Sequence, residues 1–137
     1  MKKNTKGKKG FSLAEILIVV VVASVLVAIS VPNFLKTVEK ENARQAITYL
    51  RLIRSAQKVY YSNHGKYVNC SNVAAIRTNL GIEMSDGDFS FKVTGASNTS
   101  FTAQATKSSS NYINLTAACN WTKAGLSSVT LPANGTC

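Results

Sequence analysis

Residues 8–35 read KKGFSLAEILIVVVVASVLVAISVPNFL, a basic, glycine-containing start that leads into a long apolar run. From residue 16 to residue 35 no charged side chain interrupts 20 consecutive positions. A helix of about 20 residues, rising 1.5 Å per residue, covers the ~30 Å hydrocarbon core of a bilayer. This stretch therefore predicts a single membrane-spanning helix, and the remaining residues must supply any folded head.

The length and the charge of the chain limit what else it can be. At 137 residues, the chain leaves room for one small domain once the apolar segment is subtracted. The net charge is +10, but five lysines lie within the first ten positions, and the rest of the chain has a net charge of +5. A charge run beside an apolar segment is most simply a topology signal.

Two other interpretations of the apolar run compete with a retained membrane helix. A buried core helix is disfavoured because so small a chain has little with which to cover it on all sides. A cleavable secretory signal is the stronger alternative, since Ala28, Ile29 and Ser30 form a small-residue cleavage site. Against the signal stand Glu15, which interrupts the front of the run, and helix-compatible sequence that continues beyond Pro32.

The three cysteines favour an extracytoplasmic location for the rest of the chain. Basic residues flank the apolar run on both sides, so charge alone leaves its orientation open. Cys70, Cys119 and Cys137 lie in a segment rich in Ser, Asn and Thr that would gain from a disulfide in an oxidising compartment. Their spacing matches no metal site.

Glu15 has a structural and a functional interpretation. Ser12 and Glu15 have the spacing of a capping box, with the carboxylate near the positive end of a helix. An acidic residue inside a membrane segment is, however, costly enough to be a candidate functional residue that needs a named partner.

The segment KKGFSLAEILIVVVVASVLVAISVPNF resembles the N-terminal segment of type IV pilins and of the pseudopilins of type II secretion systems. The resemblance implies that prepilin peptidase cuts after Gly10 and that Phe11 becomes an N-methylated amino terminus. It also implies that Glu15 acts in assembly by pairing with the Phe11 amine of a neighbouring subunit, which neutralises two charges in a dry filament core. Pro32 is retained, whereas Ser24 stands where many pilins have Gly, so the extent of helix unwinding between them stays open.

The same resemblance implies a location, partners and a function. The precursor would be a single-pass protein of the bacterial inner membrane, and the inner-membrane pilus assembly machinery would extract it into an extracellular filament. The partner would be the chain itself in a helical homopolymer, and such pili serve cell adhesion and motility. No cofactor and no enzymatic activity are expected, since no Ser-His-Asp, Cys-His or paired-carboxylate arrangement can be built around His64.

Beyond the apolar run, the sequence predicts an amphipathic helix over 36–63 and a head over 64–137. The apolar positions of this helix recur at three- and four-residue spacing: Ala43, Ala46, Ile47, Leu50, Ile53, Ala56 and Tyr60. Turn-forming residues follow, and His64 is predicted to lie in a surface loop.

The head shows period-two alternation in three stretches, at residues 89–93, 101–105 and 113–115, which predicts antiparallel strands with one buried face. A short helix is predicted over 72–80, ended by Gly81. Together with the leader (1–10) and the apolar segment (11–35), this gives an α+β, pilin-like fold with a long N-terminal helix packed on a small sheet. Trp121, Leu126, Val129 and Leu131 are predicted to be apolar contacts of the C-terminal segment.

Three cysteines allow three single pairings, and connectivity cannot be deduced from their positions alone. A Cys119–Cys137 bridge would fix the C-terminus and resembles the disulfide-bounded loop of many pilins. Cys70–Cys137 would close a longer loop and is slightly favoured by chain entropy. We take Cys119–Cys137 as the prediction, with Cys70 either buried as a small apolar residue or left reactive.

Two alternatives to a pilus subunit remain open. A type II secretion pseudopilin typically carries acidic calcium ligands near its C-terminus, but no Asp or Glu follows Asp88, which favours the pilin. A DNA-uptake pilin would use basic residues as a track for DNA, yet residues 62–137 have a net charge of only +2 and no groove-reading motif. DNA is therefore a weakly supported partner.

Overall fold

A computed structural model describes residues 10–85 and 87–137. The predicted basic leader, except for Gly10, lies outside the described residues, and so does Asp86. The chain divides into two compact units, with the boundary between Lys36 and Thr37. Each unit is described by itself.

The first unit contains the start of helix α1, which runs over Leu13–His64. Ser12 precedes the helix, and its carbonyl oxygen accepts hydrogen bonds from Glu15 N (3.0 Å) and Ile16 N (3.2 Å). The helix continues through Pro32 without a break. An apolar window near the N-terminus is long enough to cross a membrane, and none of it is buried.

The second unit begins within α1 and buries one face of that helix. The buried residues of α1 are Ala43, Ala46, Ile47, Leu50, Ile53 and Gln57. Helix α1 ends at His64, and Gly65 adopts a left-handed conformation (φ 69°) and donates its N–H to Tyr61 O at 2.8 Å. The predicted amphipathic helix is therefore confirmed, but the prediction for His64 was wrong: it is the last helical residue, because the αL residue that ends the helix is Gly65.

Helix α2 spans Val73–Leu80, close to the predicted 72–80. Asn72 caps it, since Asn72 Oδ1 accepts a hydrogen bond from Ala75 N at 2.8 Å. Gly81 follows in the left-handed region (φ 67°) and donates its N–H to Arg77 O. Only Ile76 is fully buried in this helix.

Four strands form one antiparallel meander in the order β1-β2-β3-β4. The strands are β1 Ser90–Thr94, β2 Thr102–Ser108, β3 Asn111–Thr116 and β4 Trp121–Ala124. The first three confirm the predicted strands, while β4 was not predicted. In the first three strands buried and more exposed residues alternate, which places one face of the sheet on the core.

The core of the second unit joins the buried face of α1, Ile76 of α2 and the inner face of the sheet. Trp121, Leu126 and Val129 are buried there and Leu131 is half-buried, as predicted. The α+β pilin-like fold predicted from the sequence is confirmed in the elements of the two units.

Candidate functional site

The residues predicted for processing lie at the exposed start of the first unit. Gly10 and Phe11 precede helix α1, and the Phe11 side chain is 79% exposed. Glu15 lies in the first turn of α1 and is also exposed. A carboxylate there faces the positive end of the helix dipole and is accessible to a positively charged partner. Gly10 and Phe11, on either side of the predicted cleavage site, are both exposed.

Pro32 lies inside α1 and has no N–H, so one carbonyl oxygen of the preceding turn lacks its helical donor. Two hydroxyl side chains that precede it in the apolar part of α1 bond to backbone oxygens of the same helix. Ser24 Oγ donates to Val21 O at 2.7 Å, and Ser30 Oγ donates to Leu26 O at 2.7 Å. Such bonds satisfy hydroxyl groups without any water, which suits a helix in an apolar environment.

The second unit also exposes apolar side chains on α1. Among residues 37–137 that the structure describes, the exposed large hydrophobic residues are Val38, Leu52, Val59 and Tyr61. Leu52 is 44% exposed and Val59 is 63% exposed, and because they are seven residues apart they lie on one face of the helix. Gln45, Thr48 and Ser55 share this uncharged face at three- and four-residue spacing. We call residues 45, 48, 52, 55, 59 and 62 the outer stripe of α1.

The C-terminal segment is fastened to β4. The Cys119–Cys137 disulfide is present, with Cα atoms 6.1 Å apart, as the sequence analysis favoured. Gly135 N donates to Cys119 O at 2.9 Å, and Asn134 Oδ1 accepts a hydrogen bond from Trp121 N at 2.7 Å. The indole Nε1 of Trp121 donates to Thr136 O at 3.3 Å.

Cys70 remains a thiol and is buried. Burial raises the pKa of the Cys70 thiol, and a weak hydrogen bond from Asn79 Nδ2 (3.9 Å) partly opposes that rise. A neutral, buried thiol is a poor nucleophile. Of the two predicted fates of Cys70, the structure shows the buried one.

Sequence reasoning missed the role of Gln57, which is fully buried. Its Nε2 donates to Val68 O at 2.6 Å and its Oε1 accepts from Val68 N at 3.0 Å, so both amide atoms are satisfied. This pair holds the segment after α1 against the helix. The available signal was the position of Gln57 four residues after Ile53, on the apolar face.

Among the basic side chains of the head, two form ion pairs and one lines a cavity. Arg77 pairs with Glu83 at 2.8 Å and Lys107 pairs with Asp88 at 3.7 Å. Lys92 projects from the exposed side of β1 and lines an open cavity of about 480 Å³ together with the start of α2. Of the residues that the structure describes, no group of three or more His, Cys, Asp or Glu side chains is placed to hold a metal ion.

Comparison with known proteins gives two adjoining matches, which meet between residues 31 and 32. Residues 5–31 match the prokaryotic N-terminal methylation motif. Residues 32–121, which are 90 of the 137 residues, match the family described as type IV minor pilin ComP, DNA uptake sequence receptor.

Curated relatives are pilins and secretion proteins. The chain is 30% identical to the type IV wide pilus major component PilA4 of Thermus thermophilus over 70% of this chain and 71% of that protein. It is 36% identical to the type IV major pilin protein PilA of Myxococcus xanthus, over 47% of this chain and only 29% of that protein. It is 34% identical to the type II secretion system core protein G of Vibrio cholerae, over 49% of this chain and 45% of that protein.

The family match covers more than half of the chain, and it begins where the methylation motif ends. The apolar start of α1 and the antiparallel sheet of the head are the features expected of a pilin. The chain therefore belongs to the type IV pilin family.

Proposed function

We propose that this chain is a structural subunit of a type IV pilus, cleaved after Gly10 and N-methylated at Phe11. In this proposal the inner membrane holds the precursor as a single-pass protein, and the pilus machinery moves the mature subunit into an extracellular homopolymer. The observation that carries the proposal is the apolar surface of the first unit, whose membrane-length window has no buried residue. That surface needs lipid before assembly and other subunits after it.

The exposure of Glu15 supports a role in subunit pairing. Its carboxylate is exposed in the first turn, a few residues from Phe11. A neighbouring subunit would bring the methylated Phe11 amine to this carboxylate, because an unpaired charge in a dry core is strongly destabilising. The segments 11–35, 36–63 and 64–137 then serve as filament core, connecting helix and exposed head.

A substitution at Glu15 tests the pairing, with Ser12 as the matched control. Glu15→Ala should insert in the membrane and lose the leader, but should give few filaments. Ser12→Ala removes the hydroxyl of the capping-box pair and leaves the carboxylate, so filament yield should stay near that of the wild type. Equal yields from Glu15→Ala and wild type would show that Glu15 is only a helix cap.

The outer stripe of α1 offers a second contact between subunits. Leu52 and Val59 lie exposed on α1 in the second unit, whose other apolar residues are mostly buried. Changing both to Ser should lower filament yield while leaving the melting temperature of the subunit within error, because neither is part of the core. A parallel Gln45→Ser, Thr48→Ser variant on the same stripe should assemble as the wild type does.

DNA binding is a second candidate function, favoured by the family description of a DNA uptake sequence receptor. Lys92 supports it, since it lies on the exposed side of β1 beside a cavity. The purified chain should then bind double-stranded DNA with an affinity that falls as the salt concentration rises. Lys92→Ala should weaken binding and reduce by about 1 the slope of the logarithm of the binding constant against the logarithm of the salt concentration. Lys58→Ala on α1 should change neither the affinity nor this slope.

A further inference from the structure

Asn134 and Gly135 form the one Asn-Gly pair in the sequence, and they lie within the disulfide-closed segment. We propose that this pair is a deamidation site whose reactivity the Cys119–Cys137 bridge controls. With the bridge closed the pair is protected. Without the bridge it becomes a site of spontaneous, irreversible modification.

The reaction requires no enzyme and no co-reactant except water. The backbone nitrogen of Gly135 loses its proton and attacks Cγ of Asn134, a C–N bond forms, and the side-chain amide nitrogen leaves as ammonia. Water then opens the resulting succinimide ring at either carbonyl, which yields Asp or isoaspartate. Glycine permits this attack because it has no Cβ to hinder the approach and its backbone rotates freely.

In the folded head both reacting groups are already engaged. The N–H of Gly135 donates a hydrogen bond to Cys119 O at 2.9 Å, so the nitrogen that would attack is already hydrogen-bonded. Asn134 Oδ1 accepts from Trp121 N at 2.7 Å, which fixes the side chain that must be attacked. Succinimide formation requires both bonds to break and the two groups to rotate toward each other.

The bridge supports these two bonds from both ends. Cys119 provides the carbonyl that binds Gly135 N, and Cys137 lies two residues after Gly135. Other bonds of the tail come from the Trp121 indole to Thr136 O and from Thr136 N to Ala133 O (3.1 Å). Without the covalent tie only these hydrogen bonds hold the segment, so opening the bridge releases Asn134 and Gly135 together.

The product would alter the same segment that protected it. Either product adds one negative charge at residue 134. Isoaspartate also adds one carbon atom to the main chain at this residue, and so lengthens the chain between the residue that binds Trp121 N and Cys137. The Gly135 N–H and Thr136 O would then no longer align with Cys119 and Trp121. A chain that remained without its bridge for a long time would therefore be converted irreversibly to the Asp or isoaspartate form at residue 134.

The test measures amide-to-acid conversion at Asn134 by peptide mass spectrometry in the full chain, held in detergent micelles at mildly alkaline pH. The samples are wild type with the bridge closed, Cys137→Ser, and wild type unfolded in denaturant with the bridge closed. Asn98, which is exposed and followed by Thr, serves as an internal reference. Protection of Cys70 from alkylation reports that the head is still folded, because Cys70 is buried.

We expect conversion at Asn134 to be at least roughly tenfold faster in Cys137→Ser than in folded wild type, the factor that about 1.4 kcal/mol represents. Conversion at Asn98 should not change. Equal Asn134 rates in the two proteins, with Cys70 protected in both, would overturn the proposal. The proposal would also be overturned if Asn134 were converted as fast in folded wild type as in unfolded wild type.

A second measurement applies if Cys137→Ser fails to fold and Cys70 becomes reactive. Hydrogen exchange on folded wild type should then show the Gly135 and Trp121 amides protected, and mild reduction of the bridge should make both exchange faster. Rapid exchange of the Gly135 amide with the bridge closed would contradict the proposal.

Discussion

Helix α1 passes through two environments, and two leucines on it show the difference. Leu26, in the first unit, is 61% exposed, whereas Leu50, in the second unit, is fully buried. Both are apolar residues in the same helix, so helix propensity does not separate them. What differs is whether the chain itself supplies a covering surface, as it does for Leu50, which belongs to the same buried core as residues of the sheet and α2.

The comparison indicates that the two units depend on different partners. Burial stabilises by roughly 25 cal/mol per Å² of apolar surface, and the second unit obtains this within one chain. The first unit can obtain it only from lipid or from other subunits. Substitutions in the first unit should therefore alter insertion or assembly, and substitutions in the second should alter folding.

The largest expected effect comes from the same substitution made in each unit. Leu50→Ala should lower the free energy of unfolding of the head by about 2–5 kcal/mol, because it leaves a cavity in the core. Leu26→Ala should leave that free energy unchanged within error. Denaturant unfolding followed by tryptophan fluorescence of the buried Trp121 measures both, and comparable losses in the two variants would break the comparison.

The next effect concerns the covalent link in the head. Replacing Cys137 by Ser should lower the free energy of unfolding by roughly 3 kcal/mol, the value expected for a loop of about this length. Cys70→Ala is the matched control, since it removes a buried thiol and no bridge. A Cys137→Ser variant that melts no earlier than the control would show that the hydrogen bonds of the tail suffice.

A smaller effect separates two glycines that share a backbone conformation. Gly125 (φ 68°) and Gly95 (φ 62°) both lie in the left-handed region, where any side chain costs on the order of 1 kcal/mol. A Cβ at residue 125 would also overlap the Asn111 side chain and lie 2.6 Å from Ser110 O, whereas a Cβ at residue 95 meets nothing.

Gly125→Ala should therefore be less stable than Gly95→Ala by about 1–3 kcal/mol, a typical cost of overpacking. Thermal melts of the two variants measure the difference directly. Equal melting temperatures would indicate that the turn between β2 and β3 moves aside without cost.

The smallest effect is expected at an exposed ion pair on α1 in the second unit. Arg44 and Glu41 pair at 3.3 Å on α1, with side chains 65% and 71% exposed. Glu41→Gln should change the free energy of unfolding by less than about 0.5 kcal/mol, since solvent screens such pairs. A loss above 1 kcal/mol would mean that this part of α1 is more tightly packed than its exposure indicates.

The sequence predicted the elements with strong periodicity and missed those held by single contacts. The apolar run and the α1 face through Leu50 and Ile53 repeat often enough to be recognised. Strand β4 was missed because it has four residues and only Trp121 is buried in it. It follows Cys119, a non-glycine residue with positive φ (64°), which no composition rule signals.

Some residues of the candidate site were likewise predicted from the sequence and others were missed. The roles of Gly10, Phe11 and Glu15 were predicted from the resemblance of one continuous segment to the start of type IV pilins, and these roles stay predictions. Gln57 was not predicted, because its partner Val68 becomes its neighbour only after the chain turns at Gly65. The predicted Cys119–Cys137 pairing is confirmed, but the sequence left the fate of Cys70 open. In the structure the backbone of Cys70 is hydrogen-bonded to that of Val93 in β1, and the Cys70 side chain is buried.

The central claim is that the exposed apolar helix of the first unit is kept in the mature protein as its assembly element. Intact mass measurement with N-terminal sequencing, on protein taken from its own cells, tests this claim most directly. The account predicts a chain that begins at Phe11 and carries one added methyl group on its amine. A chain that begins at Val31, after the small-residue site, would have lost that helix and would contradict the account.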